Sequence, residues 1–182
     1  MSIRLVLAVV VSVMMTLTSG CCRRGVVREY VETDMGRVPV VAFETLSGEE
    51  LDRFLDVLPS MVEAAGQAGV EIDGVVEGLE GVEDIILLVD SLASAAWADG
   101  PLKEAGMSRD SFRAAGLKTA VAAAVVLEEA FGEMFALLFG ERDGSEPGDE
   151  EPRSLSQLIP RENVELLLSR EDALERLGET LR

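Results

Sequence analysis

Acidic side chains are the only potentially reactive groups that this 182-residue chain carries in number, and histidine is absent altogether. Without histidine the commonest general base and metal ligand is missing, together with every Ser–His or Cys–His nucleophile pair. Neighbouring carboxylates remain, at Glu83–Asp84, Glu128–Glu129 and Asp149–Glu150–Glu151. Glycoside hydrolysis requires two such groups facing one cleft about 5–10 Å apart, and the spacing of these acids indicates no cleft. Solvated helix faces account for them more simply. Two windows have the length of a calcium loop. Asp99–Asp110 places Pro101 and Lys103 where oxygen ligands belong, and Asp143–Ser154 ends in serine where a bidentate glutamate is needed. Gly66-Gln-Ala-Gly69 has neither the strand nor the lysine of a phosphate loop. No catalytic residue, cofactor or dedicated metal site is expected.

Cys21 and Cys22 are the only cysteines and they are adjacent, so they cannot staple distant segments or build a structural zinc site. They close the opening stretch MSIRLVLAVVVSVMMTLTSGCC. Its single charge, Arg4, precedes an uncharged run of 13 residues from Leu5 to Leu17, then Thr18, Ser19 and Gly20. Charged start, short apolar middle and small-residue exit is the order of an export signal. The run falls short of the ~20 apolar residues of a permanent span. Through Ser19-Gly20-Cys21 this segment resembles the precursors of bacterial lipoproteins, whose lipobox typically reads Leu-Ala/Ser-Gly/Ala-Cys. Here Thr18 holds the Leu position and Leu17 lies one place earlier. The resemblance implies diacylglyceryl transfer to the Cys21 thiol and attachment to a membrane through that lipid. Because Cys22, not Asp, follows, it also implies an outer-membrane location where the host has one. Two other outcomes stay open. Thr18 and Gly20 are small enough for ordinary signal cleavage and secretion, while Arg23 and Arg24 favour a cytoplasmic side beyond an uncleaved anchor.

The remaining chain has the size of one domain. Hydrophobic residues make up 48% and charged residues 27%, a folded rather than disordered balance. Aromatics are only 4%, so Leu, Val and Ala must fill the core. The formal charge is −18, and removing residues 1–20 takes away Arg4 alone, leaving −19. Such a surface repels nucleic acid and anionic lipid headgroups, so no nucleic-acid partner is expected. Between Glu44 and Asp99 stand 14 acids and one base, Arg53, as expected of a solvated face.

Positioning falls to helices. The chain reads as all-α: a small bundle of about four helices following the signal at 1–20 and an extended tether at 21–46. Within the tether, Val26–Val31 and Val38–Phe43 flank Asp34-Met35-Gly36, which allows a hairpin, but Pro39 would remove a ladder donor. The bundle core is expected over 47–139. Ser47 and Glu50 form a capping box for a first helix, which Pro59 should interrupt and Gly66 and Gly69 end. A second helix is expected from about Asp73 to Ala96, then a turn at Trp97–Pro101. Ser108 should cap the longest helix, Arg109 to about Phe139, which is apolar all round over Ala120–Leu127. An acidic linker follows at 140–152. A C-terminal helical segment at 153–182 should open at Pro160, with a possible break near Ser169. The expected function is that of a non-catalytic envelope lipoprotein acting through contact with a protein partner. The alternative is an exported binding module for a small apolar ligand or divalent cations.

Overall fold

A computed structural model describes residues 29–34, 36–70, 82–139 and 154–180. Among these it is mainly helical, with seven helices and one two-stranded sheet. Strands β1 (Tyr30–Thr33) and β2 (Gly36–Pro39) form an antiparallel hairpin, followed by a 3-10 turn at Val40–Phe43. Helices α1 (Gly48–Gln67) and α2 (Val82–Ser94) come next. A second 3-10 turn (Ala96–Ala98) leads into the short α3 (Asp99–Glu104), then the 31-residue α4 (Arg109–Phe139). The chain closes with α5 (Leu155–Leu158), α6 (Arg161–Leu168) and α7 (Glu171–Thr180).

Helix α4 is the axis of the fold. Every residue from Ala115 to Val126 is buried, because α1, α2, the first 3-10 turn and α6 all pack on it. Its apolar composition requires that arrangement, since a helix with no polar face has no side to offer water. Small residues set how closely its neighbours approach. A Cβ at Gly116 would stand 3.0 Å from Val89 Cγ1 and 3.2 Å from Phe54 Cε2, so both helices touch its backbone there. Lys118 and Thr119 are the polar exceptions, and the Thr119 Oγ1 is buried without a hydrogen-bond partner among the described residues. Thr119→Val keeps the shape and removes that unpaired hydroxyl. We expect a gain of up to ~1 kcal/mol, read as a higher midpoint in thermal unfolding.

Helix α1 starts at the expected capping box. The Glu50 N–H donates to Ser47 Oγ at 3.2 Å, and the Ser47 N–H donates to Glu50 Oε2 at 2.9 Å. It does not stop at Pro59. The helix is continuous for 20 residues, with Leu51, Phe54, Leu55, Leu58, Met61 and Ala65 buried on both sides of the proline. Burial of that stripe outweighs the ~3 kcal/mol that an interior proline costs. The helix ends beyond Gly66, where Val70 N–H reaches Ala65 O and Gly69 N–H reaches Gly66 O, both at 3.0 Å. Gly69 takes φ +77°, the left-handed conformation that this terminus needs. The same device ends α3 at Gly106 (φ +63°), so Trp97–Pro101 is a 3-10 turn running into a helix rather than a simple turn. Ser108 then caps α4, its Oγ accepting the Ser111 N–H at 3.0 Å.

The tether is shorter than expected. From Tyr30 onward the chain belongs to the domain: Val38 and Ala42 are fully buried and Leu46 is 3% exposed. Pro39 does not prevent the hairpin. Val40 N–H donates to Glu29 O at 2.9 Å, which makes Glu29–Val40 the hydrogen-bonded pair and leaves Tyr30–Pro39 at a site where no N–H is called for. Of the second expected helix, residues 71–81 lie outside the described residues, as does the acidic linker at 140–152. The C-terminal segment does break at Ser169–Arg170, and it packs on the bundle through Leu155, Leu167 and Leu174, which are fully buried.

Candidate functional site

Cys21 and the acids at 149–151 lie outside the described residues. Glu83 and Asp84 sit in the first turn of α2, and Glu128 is exposed far along α4, about 29 Å from its first residue. Asp99 is used within the fold, 2.7 Å from Arg109 Nη2. Among the described residues no group of three or more Cys, Asp or Glu could hold a metal ion. A shallow hollow of about 160 Å³ is lined by Ser47, Glu49, Glu50, Arg53, Gly106, Met107 and Ser111. Three of these, Ser47, Glu50 and Ser111, already take part in helix capping.

The polar centre of the molecule lies instead at the junction of hairpin and bundle. Lys118 is 5% exposed, and its Nζ donates to Thr45 O at 3.1 Å. Glu50 Oε1 and Glu44 Oε2 stand 3.5 and 3.7 Å from the same nitrogen. Asn163 on α6 is fully buried opposite. Its Oδ1 accepts the Leu46 N–H at 2.7 Å and its Nδ2 donates to Glu44 O at 2.9 Å. Two residues far apart in sequence thus hold the irregular backbone at 44–46, which has no helix or strand to satisfy it. Asn163→Ala orphans the buried Leu46 amide and the Glu44 carbonyl together. We expect it to cost about 2–3 kcal/mol in urea unfolding, with Asn163→Asp, which buries a carboxylate against the Glu44 carbonyl, costing at least as much.

Burial raises the Glu50 carboxyl, but hydrogen bonds from the Ser47 backbone and hydroxyl and the nearby Lys118 more than offset it, leaving Glu50 below its ordinary range. Asp52 is lowered mainly by Arg170, whose Nε and Nη2 donate to its two oxygens at 2.7 and 3.1 Å. A lowered carboxylate favours the folded state above its unfolded pKa, and that contribution is lost as pH falls through the folded value. Stability should therefore decline below about pH 4.5. Glu50→Gln should show a shallower acid limb than the parent when unfolding is followed against pH.

A second polar cluster closes α2, which has no basic residue in its own last turn. Arg109 Nη1 donates to Ala93 O at 2.6 Å, and Arg113 Nε stands 2.9 Å from Asp90 Oδ1. Both clusters hold elements in place. Sequence reasoning missed the first, although Lys118 is the only charge between Arg113 and Glu128. A lone cation on a helix apolar all round must find partners inside the fold, and that was the available signal. Asn163 left no comparable mark.

The chain is a small helical protein with an N-terminal hairpin, and comparison with family models, curated proteins and solved structures gives no match.

Proposed function

We propose that this protein is a non-catalytic, lipid-anchored component of the bacterial cell envelope that acts by contact with another protein. The observation that carries the reading is the order of the opening residues: Arg4, an uncharged run, then Ser19-Gly20-Cys21. The fold supports it in a different way. Its buried polar side chains, Lys118 and Asn163, bind the chain's own backbone. Among the described residues most acids are exposed, and on α1 Glu49, Asp52, Asp56 and Glu63 recur at helical spacing along one side. A surface of that kind steers a basic protein partner toward it. Mass spectrometry of the N-terminus of the envelope protein tests the reading. A diacylglyceryl group on an N-terminal Cys21 supports it, and a chain still beginning at Met1 overturns it. A large thermal shift with calcium would favour a cation-binding module instead.

A further inference from the structure

Among the described residues, strand β1 is paired on one side only. Resting on the protein-contact reading above, we propose that its open edge takes an extended basic segment of the partner protein as a third strand. The register identifies the open groups. Glu29–Val40 is a hydrogen-bonded pair, so Val31–Val38 and Thr33–Gly36 are the next such pairs along the ladder. Tyr30 and Glu32 fall between them and turn their N–H and C=O groups away from β2. Both residues are exposed, and among the described residues none of these four groups has a backbone partner. The other strand is not equivalent: β2 packs against α2, and its Pro39 has no N–H to offer. An added strand needs an open row of this kind. Main-chain hydrogen bonds supply its affinity, and side chains at alternate positions choose the partner.

Charge and burial select the occupant. The edge sequence from Glu29 to Asp34 carries exposed Glu29, Glu32 and Asp34 and no base. Across the ladder Arg37 answers one of them, its Nε 3.0 Å from Glu32 Oε1 and its guanidinium 5.1 Å from the centre of the Tyr30 ring. The edge stays net negative, so it repels an acidic strand. A second copy of this chain would bring the same acids to the same edge and is disfavoured too. A strand with Lys or Arg at alternate positions is attracted instead. Its basic side chains fall on the solvent face beside Tyr30 and Glu32, and the residues between them fall on the inner face beside the half-buried Val31. Those intervening residues should therefore be apolar.

The test uses the full chain in a neutral detergent and two synthetic peptides. One is Lys-Val-Lys-Val-Lys-Val-Lys with blocked ends; the other has the same side chains and charge but every backbone N–H methylated. Binding of the first should slow amide exchange at Tyr30 and Glu32 by ~tenfold or more, as those N–H groups gain partners. The methylated peptide should bind at least ~tenfold more weakly, the equivalent of one or two lost hydrogen bonds. Tyr30→Pro removes an outward donor and leaves every charge in place, at a position where the ladder with β2 uses no N–H. It should weaken the first peptide by a similar factor, whereas Tyr30→Val, which keeps the donor, should not. Equal affinity for the two peptides overturns the added strand and leaves an acidic contact surface standing. Failure of the full chain to bind either peptide overturns both.

Discussion

Lys118→Glu is expected to unfold the protein at neutral pH. The substitution places a carboxylate where a cation now donates to Thr45 O and stands within 3.7 Å of Glu44 and Glu50. A buried charge without a partner costs about 3–5 kcal/mol, and the repulsion and the orphaned carbonyl add to that. Total stabilities of single domains are about 5–15 kcal/mol, so little is left. Lys118→Met separates charge reversal from loss of the side chain. It keeps the apolar stem within α4 and leaves two carboxylates that reach solvent, being 60% and 42% exposed. Its cost should stay near 1–2 kcal/mol, mainly the Thr45 carbonyl. Circular dichroism on heating distinguishes the two, and a Lys118→Glu protein that melts like the parent would refute the buried-charge account.

Phe54→Ala should cost about 3–5 kcal/mol. Phe54 is fully buried on α1, its ring 5.2 Å from that of Phe112, and its edge lies over the bare backbone at Gly116. Truncation opens a hole at the contact between α1 and α4, the two longest described helices. The geometry predicts a specific coupling. In the parent, Gly116→Ala brings a Cβ to 3.0 Å from Val89 and 3.2 Å from Phe54, so crowding opposes the ~1 kcal/mol that alanine gains over glycine in a helix. With Phe54 already truncated, half of the crowding is gone and the alanine partly fills the hole. The cost of Gly116→Ala should therefore shrink, or change sign, in the double variant. Strictly additive unfolding free energies would show that the two residues do not share this contact.

Legibility in the sequence followed the range of the interaction that decides each feature. Local chemistry was readable: the Ser47–Glu50 capping box, the Ser108 cap and the all-apolar α4 stand where periodicity and capping residues put them. Features settled by distant partners were not. Pro59 looks like a break until the buried stripe around it is seen, and Pro39 looks hostile to a strand until the register assigns it a site without a donor. The 30–46 segment looks like tether because its own sequence buries little. Its partners, Lys118 and Asn163, come more than 70 residues later. The chemically reactive candidates fared differently again, since nothing in a one-dimensional list of acids states which of them share a cleft.

The clamp at Asn163 has a bearing on how the chain reaches its folded form. The hairpin and the turn after it are synthesised first, yet their amide and carbonyl partners sit 117 and 119 residues downstream. Contacts over such separations close late, after the intervening loop entropy has been overcome. A nascent chain would emerge with its leading hairpin still lacking the surface that receives it. The hairpin and the turn after it therefore stay unsatisfied until α6 follows, which makes them the part a chaperone would have to shield.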